Sequence, residues 1–263
     1  MSETRVAVVT GASSGNGRAI AIRLASDGFA VVCSDLRPEA RAEGYEQDLA
    51  TPTHEAIERA GGSARFVAAD ASSLGEMSEV IGVAVEEFGR LDLIVNNAGI
   101  FTGLAPIVEE SEEDFDRTVA VNLKGVWVGS KLAIARFLEQ QPVNGIRGTV
   151  INIASIGGLV GLAEEPAYCA SKGGVVNLTR QLAVDYAQHR IRATAVCPGF
   201  LSTAMVRPFL EDPELNAALH ADSPWPDLGT AEDVADAVAF LAGGGSRWVT
   251  GSALVVDGGF TAR

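Results

Sequence analysis

Two ionisable side chains, a phenol and an ammonium, stand at a spacing that suits acid–base chemistry. Tyr168 and Lys172 are four residues apart, so on a helix they lie one turn apart on the same face. With three tyrosines and three lysines in 263 residues, chance would produce a Tyr-x3-Lys pair only about 0.03 times. A cation at about 4 Å, in an effective dielectric constant of about 20, lowers a phenol's reference pKa from about 10 to about 7. The pair therefore predicts that Lys172 lowers the pKa of Tyr168 and that the phenol acts as a general acid/base.

Two further polar residues, Ser155 and Asn122, are candidates whose roles the residues alone leave open. Ser155 ends a strand-like run 13 residues before Tyr168, so its hydroxyl could hold a reacting oxygen beside the phenol. Serines at strand ends are also common turn formers. Asn122 interrupts an apolar helical sequence, and an amide satisfied by backbone or solvent is its simpler interpretation.

A glycine-rich turn follows the first strand-like run. It reads Thr10-Gly11-Ala12-Ser13-Ser14-Gly15-Asn16-Gly17 and leads directly into a helical pattern. Glycines allow the backbone to approach a pyrophosphate closely, and the N–H groups and dipole of the helix stabilise its charge. Glycine-rich turns after strands also occur where no ligand binds, so the turn alone does not establish a phosphate-binding site. The pattern predicts a phosphate cradle of six residues: Gly11, Ser13, Ser14, Gly15, Asn16 and Gly17.

Acidic and small residues end the next strand-like runs. Asp35 lies 18 residues after Gly17, where an acid can accept both ribose hydroxyls of an adenosine and repel a 2′-phosphate. The alternatives are that Asp35 is a helix N-cap or turn residue, and that Arg37 tolerates a phosphate. The pattern favours NAD over NADP. The carboxyl ends of the third and fourth runs extend this predicted cofactor site to Asp70, Ala71, Asn97, Ala98 and Gly99.

Short apolar runs alternate with segments of helical period along the whole chain. The runs lack polar alternation, as is typical of strands covered on both faces: Val6–Thr10, Ala30–Ser34, Arg65–Ala69, Leu91–Val95, Thr149–Ala154, Ala193–Cys197 and Ala253–Val256. The helical segments are 16–27, 75–88, 111–140, 166–188 and 230–242. This alternation predicts an α/β protein with a doubly wound parallel sheet, in one domain over residues 1–263.

The segment 111–140 is unusually long for one helix. It begins with Ser111 followed by three acidic residues, which resembles a capping box. Its length suggests that part of it packs against another subunit. The alternative is that the helix is broken or shorter than the pattern indicates.

The composition excludes several classes of function. A net charge of −14 repels phosphate backbones, which argues against nucleic acid and anionic membrane surfaces as partners. Neither a membrane span nor a secretory signal is expected from the distribution of apolar residues. The three cysteines lie far apart and no Cys/His cluster has ligand spacing, so we expect no disulfide framework and no metal. A cytoplasmic protein is the resulting expectation.

Taken together, these residues resemble the short-chain dehydrogenase/reductase family, in its single-domain branch. The resemblance covers almost the whole chain and includes the ending Asp257-Gly258-Gly259. It implies a three-layer Rossmann-type sheet of about seven strands with helices on both faces. It also implies a homotetramer built through the helices 111–140 and 166–188 and the C-terminal strand.

The resemblance also implies roles for individual residues. Tyr168 would be the general acid/base and Ser155 would orient the substrate oxygen. Lys172 would lower the phenol pKa and bind the nicotinamide ribose, while Asn122 would hold a water in a proton relay. Tyr168 and Lys172 thereby also belong to the implied cofactor site, whose nicotinamide end would be contacted by Pro198, Gly199 and Thr203.

The implied activity is hydride transfer between NAD and a secondary alcohol or ketone. A sugar or polyol dehydrogenase is the alternative within the family, and a non-catalytic nucleotide-binding oligomer is a remote one. We expect the segment 204–225 to cover an apolar substrate pocket, with Met205, Phe209, Leu210 and Trp225 as lining. Two features depart from the family pattern: Asn16, where isoleucine is usual, and a charged extra stretch at 37–52, for which a solvated loop near the adenosine end is the default.

Overall fold

Seven strands form the centre of the computed structural model, which describes residues 4–46 and 48–262, with the backbone alone at positions 218 and 222. In chain order, β1 to β7 are Arg5–Thr10, Phe29–Asp35, Ser63–Ala68, Leu93–Asn96, Gly148–Ile153, Ile191–Pro198 and Ala253–Val256. All neighbours pair in parallel, in the order β3-β2-β1-β4-β5-β6-β7. The order reverses between β1 and β4, and ligands of open α/β sheets bind outside the carboxyl ends of the strands at such a point.

Helices cover both faces of this sheet. In chain order, α1 to α9 are Gly15–Ser26, Thr53–Arg59, Leu74–Phe88, Glu112–Val119, Gly125–Glu139, Pro166–Tyr186, Arg207–Glu211, Pro213–Asp222 and Ala231–Ala242. Among the described residues, none of these helices has the length and apolar character that crossing a bilayer requires.

The apolar core lies in two layers that the strands separate. Alternate residues of β1 point to opposite faces, so Ala7 and Val9 pack in one layer and Val6 and Val8 in the other. The first layer contains residues of α1 and α9, such as Ile20, and the second contains residues of α3, α5 and α6. Burial of both faces explains why the strands are continuous apolar runs, and it confirms the predicted single doubly wound sheet.

The predicted segment 111–140 is helical but not uniform. Ser111 caps its start, because its Oγ accepts a hydrogen bond from the Asp114 N–H at 3.0 Å. The α-helix then gives way to a π-helical turn, Ala120–Lys124, before it continues as α5. Of the two interpretations of this segment, the structure confirms the interrupted helix. The omission of α2, α7 and α8 was wrong, because these helices are short and lack a long apolar period.

Candidate active site

A cleft of about 740 Å³ runs along the carboxyl ends of the strands, across the point where the strand order reverses. Its lining includes sixteen of the seventeen residues predicted to bind a cofactor, from the turn after β1 to the loop after β6. It also includes Ser155. Gly17 and Asn122 lie outside the lining. The fold therefore brings the predicted phosphate cradle and the predicted acid/base pair to one cleft.

The turn between β1 and α1 is a tight backbone cradle. Gly11 and Gly15 have φ values of +65° and +50°, which disfavour residues with a side chain. The turn is braced from β4, because Asn97 Nδ2 donates hydrogen bonds to the carbonyls of Thr10 and Gly11 at 2.9 and 3.2 Å. A Cβ built on Gly17 would lie 2.7 Å from the Gly11 carbonyl carbon. Gly17 is thus required behind the turn, and its contact with a cofactor stays a prediction.

This cradle has the properties that a dinucleotide phosphate needs. The Gly15 N–H donates a short hydrogen bond to a Glu46 carboxylate oxygen, so the cradle already binds an anionic group of the chain itself. The other oxygen of that carboxylate is buried and has no hydrogen-bond partner within residues 4–46 and 48–262. Asn16 lines the same cleft, and its Oδ1 is also buried and has no hydrogen-bond partner among the described residues. Hydrogen-bond donors of a bound ligand would fit this orphaned amide oxygen, and the residues present fit a dinucleotide.

Carboxylates lie at the other end of the cleft, beyond β2 and β3. Asp35 accepts hydrogen bonds from the Ser13 N–H at 3.1 Å and the Leu36 N–H at 2.8 Å. Asp70 accepts from the Ser72 N–H and hydroxyl, both at 2.8 Å. The backbone therefore holds both carboxylates in fixed positions at this end.

The described residues of the charged stretch, 37–46 and 48–52, fold over the cradle. Ser13 Oγ donates a hydrogen bond to the Arg37 carbonyl at 2.6 Å, and Ser14 Oγ accepts one from the Arg41 N–H at 2.8 Å. The buried guanidinium of Arg18 holds the far end of the stretch through the Asp48 and Thr51 carbonyls, each at 2.8 Å. The stretch is therefore not merely a solvated loop near the adenosine end, as the sequence suggested.

The predicted acid/base residues meet where β5 ends and α6 begins. Ser155 follows β5, and its hydroxyl forms a hydrogen bond with the phenol of Tyr168. Lys172 lies one turn further along α6, with Nζ 5.7 Å from the centre of the Tyr168 ring. Its ammonium donates a hydrogen bond to the Ile153 carbonyl at 2.9 Å. The geometric prediction, two side chains on one helix face that open to one cleft, is confirmed.

The electrostatic prediction for Tyr168 is not met by the chain itself. Burial raises the pKa of Tyr168 to about 12; the Ser155 hydrogen bond opposes this rise and the Glu165 charge adds to it. Burial also lowers the pKa of Lys172 from 10.5 to about 8. The expected lowering of the phenol pKa by the chain's own lysine was therefore wrong. Desolvation by burial is the largest cause of both shifts.

Asn122 lies in the π-helical turn and is completely buried. Its Oδ1 accepts a hydrogen bond from the Ile100 N–H at 2.8 Å, and its Nδ2 donates one to the Ile100 carbonyl at 2.9 Å. A Cβ built on Gly99 would lie 3.4 Å from Asn122 Oδ1 and 3.6 Å from Lys172 Nζ. The amide thus anchors the loop after β4 beside the lysine, and its role in a proton relay stays a prediction.

A second, smaller cavity of about 70 Å³ shares Tyr168 and Ser155 with the lining of the cleft. Phe101 packs edge-on against the Tyr168 ring, with the ring centres 5.7 Å apart. The centre of the Phe101 ring also lies 5.8 Å from the centre of the Phe209 ring. Glu165 is the one acidic side chain among the described residues that line it. Phe209 belongs to the predicted covering segment, but Leu210 and Trp225 lie outside both linings.

Other kinds of site find less support. Within residues 4–46 and 48–262, no group of three or more His, Cys, Asp or Glu side chains is placed to hold a metal ion. The three cysteines carry free thiols. The polar groups that line the cleft are backbone and side-chain amides, carboxylates, hydroxyls, one ammonium and the guanidinium groups of Arg37, Arg41 and Arg117, a set suited to a polar organic ligand and proton transfer.

Comparison with known proteins agrees with this geometry. The family model described as "Enoyl-(Acyl carrier protein) reductase" matches residues 11–261. The chain is 42% identical to 2-(R)-hydroxypropyl-CoM dehydrogenase of Xanthobacter autotrophicus, over 98% of this chain and 99% of the relative. It is 40% identical to cis-4-hydroxycyclohexanecarboxylate dehydrogenase of Sinomonas cyclohexanicum, over 98% and 97%.

A solved structure shares the whole architecture. It is a candidate 2-deoxy-d-gluconate 3-dehydrogenase of Agrobacterium tumefaciens with bound NADP, which superposes with a TM-score of 0.83 at 34% identity. The match covers 99% of this chain and 98% of that one. The sheet order, the cradle after β1 and these matches over nearly the full length lead to one conclusion: the chain belongs to the short-chain dehydrogenase/reductase family.

Proposed function

We propose that this protein is a secondary-alcohol dehydrogenase or carbonyl reductase that uses NAD and has Tyr168 as its general acid/base. The observation that carries the proposal is the convergence of Ser155, Tyr168 and Lys172 beside a backbone cradle that binds anions. The names of the relatives, which are dehydrogenases of hydroxylated compounds, support the same class of reaction.

Each catalytic residue of the chain has a separate role in the proposed reaction. A bound nicotinamide supplies the hydride acceptor or donor. Ser155 holds the substrate oxygen next to the phenol, and Tyr168 takes the hydroxyl proton during oxidation and returns it during reduction. Lys172 binds the nicotinamide ribose and holds positive charge near the phenol, while Asn122 holds a water behind the lysine. A positioned acid/base of this kind typically contributes about 10²–10⁴-fold in rate.

For the cofactor we propose NAD rather than NADP. The residues of the site are those that line the cleft, namely Gly11, Ser13, Ser14, Gly15, Asn16, Asp35, Asp70, Ala71, Asn97, Ala98, Gly99, Tyr168, Lys172, Pro198, Gly199 and Thr203. Asp35 supports NAD because its carboxylate, held by two backbone N–H groups, would repel a 2′-phosphate. Arg37 and Arg41 in the same lining, together with the NADP-bound neighbour, are the observations in favour of NADP.

We propose further that the protein is a cytoplasmic homotetramer whose segment 204–225 covers the substrate. Met205 and Val206 of that segment line the cleft, which supports the covering role. Large apolar side chains are exposed on the elements expected at the interfaces: Trp127 on α5, Val184 on α6 and Val255 on β7. Buried free thiols at Cys33 and Cys197 are compatible with a reducing compartment.

A substrate panel tests the proposal. Secondary aliphatic and cyclic alcohols, hydroxysteroids, polyols and sugars would be offered with NAD and with NADP, and reduced nicotinamide followed by absorbance. We expect turnover of cyclic or aliphatic secondary alcohols with a higher kcat/KM for NAD. Preferred turnover of sugars or polyols would instead favour the activity suggested by the name of the Agrobacterium neighbour. Absence of turnover with either cofactor would contradict an enzymatic function.

A further inference from the structure

The small cavity beside Tyr168 is where the part of a substrate beyond its reacting carbon would lie. Ser155 and Tyr168 line both this cavity and the large cleft, so the proposed reaction centre lies between the two. Three phenylalanines shape its far side: Phe101, Phe200 and Phe209. An aromatic wall binds carbon skeletons but does not distinguish charged from neutral ones by hydrogen bonding. That distinction must come from the polar residues of the lining.

Glu165 is the charged residue of this lining. It precedes Pro166, the first residue of α6, and its side chain is half-buried. Within the described part of the chain, no side chain or backbone N–H donates a hydrogen bond to its carboxylate. Other nearby glutamates differ: Glu110 accepts a hydrogen bond from the Ala167 N–H at 3.2 Å, and Glu164 is exposed. Glu165 is therefore an acceptor without a donor, on the wall of the pocket.

The charged side chains that line the small cavity are of one sign, negative. No lysine, arginine or histidine is found among the described residues that line the small cavity. Burial raises the pKa of Glu165 to about 7, so its carboxylate is ionised at pH 8 but gains from any donor that reaches it. A half-buried carboxylate without a partner attracts a cation or a hydroxyl and repels a second carboxylate. A ligand can supply the missing donor.

We propose that Glu165 is a specificity-determining residue: it selects secondary alcohols that carry an ammonium or a second hydroxyl group, and it excludes carboxylates. This inference rests on the proposed function, because it assumes that the alcohol is oxidised at Tyr168. Exclusion of carboxylates would distinguish this chain from one relative, whose name states a carboxylate substrate. Overall similarity of 40% identity would not reveal such a difference in the pocket.

Three cyclohexanols that differ only in one substituent test the proposal. They are cis-4-aminocyclohexanol, cis-4-methylcyclohexanol and cis-4-hydroxycyclohexanecarboxylate, assayed with NAD and with NADP at pH 8. The variants are Glu165→Gln and, as a matched control that removes one exposed charge, Glu164→Gln. The neutral methyl compound reports whether each variant folds and reacts. If one of the three cyclohexanols is not turned over, it is measured as an inhibitor of a cyclohexanol that is turned over. Its KI then takes its place in the comparison of substituents.

We expect the wild type to prefer the amine to the carboxylate by at least about 100-fold, because a charge-assisted hydrogen bond replaces a repulsion. Glu165→Gln should reduce this ratio by at least about tenfold, and Glu164→Gln should change it by less than about twofold. An equal ratio in wild type and Glu165→Gln, or a wild type that prefers the carboxylate, overturns the inference while the proposed function stands. Failure of every secondary alcohol in every variant contradicts the proposed function instead.

Discussion

The buried ammonium of Lys172 should cost the protein stability at neutral pH. Its side chain is 4% exposed, and burial lowers its pKa from 10.5 to about 8. The folded chain thus binds this proton less tightly than the unfolded chain does. Between about pH 8 and 10.5 the unfolded chain holds more protons, so the free energy of unfolding rises with pH in that window. The two pKa values correspond to a destabilisation of about 3 kcal/mol at pH 7 and about 1 kcal/mol at pH 9.5.

Lys172→Met should therefore stabilise the fold while it removes activity. The substitution keeps a long flexible side chain and eliminates the buried charge. The Ile153 carbonyl loses its donor, which costs about 1 kcal/mol. We expect a net gain in the free energy of unfolding of about 2 kcal/mol at pH 7, and almost none at pH 9.5.

Urea denaturation followed by circular dichroism, at one protein concentration and at both pH values, measures this gain. Lys124→Met is the matched control, because the Lys124 side chain is exposed. The thiol of Cys33 titrates in both proteins, so it largely cancels in the difference. The Lys172 charge lowers the pKa of the Cys197 thiol, so the measured difference also includes the loss of this interaction. A Lys172→Met variant less stable than wild type at pH 7, or a gain of equal size at both pH values, would refute the reasoning.

Three further substitutions test separate parts of the account. Asp35→Asn keeps a hydrogen-bond acceptor but removes the charge, so the ratio of kcat/KM with NADP to kcat/KM with NAD should rise at least about tenfold. An unchanged ratio would contradict the proposal that Asp35 selects NAD. Glu46→Gln weakens the hydrogen bond to the Gly15 N–H that NAD must displace, so the Kd of NAD measured by calorimetry should fall about three- to tenfold. A higher Kd would contradict this expectation. Asn152→Ala removes two buried hydrogen bonds: one from Asn152 Nδ2 to the Thr179 hydroxyl at 2.9 Å, and one from Asn96 Nδ2 to Asn152 Oδ1 at 2.8 Å. Thermal or urea unfolding should therefore show a loss of about 2–4 kcal/mol in the free energy of unfolding, and a loss below about 1 kcal/mol would contradict this.

The sheet and the acid/base pair could be predicted from the sequence because each leaves a local signal. Strands buried on both faces are continuous apolar runs, and the observed β7 coincides with the predicted Ala253–Val256. Tyr168 and Lys172 share a helix face because of their spacing alone. Both signals depend on neighbours in the sequence and not on the packing of distant segments.

The remaining features depend on distant contacts. Glu46 reaches the Gly15 N–H across 31 residues, and nothing near either residue in the sequence indicates the pairing. The π-helical turn at Asn122 exists together with its bonds to Ile100, 22 residues away. The raised pKa of Tyr168 follows from burial, which spacing does not reveal. The sequence offered one signal that could have identified Glu165 as a site residue, namely its position three residues before Tyr168.

The acid/base role of Tyr168 is the central claim, and one pair of variants tests it most directly. Tyr168→Phe removes the phenolic oxygen, and Tyr186→Phe removes one from the end of the same helix, outside the lining of both cavities. Single-turnover absorbance would measure hydride transfer, and calorimetry would measure NAD binding. We predict that Tyr168→Phe loses at least about 10³-fold in rate with an NAD Kd within about threefold of wild type, while Tyr186→Phe keeps both. A Tyr168→Phe enzyme with more than a tenth of the wild-type rate would contradict the account.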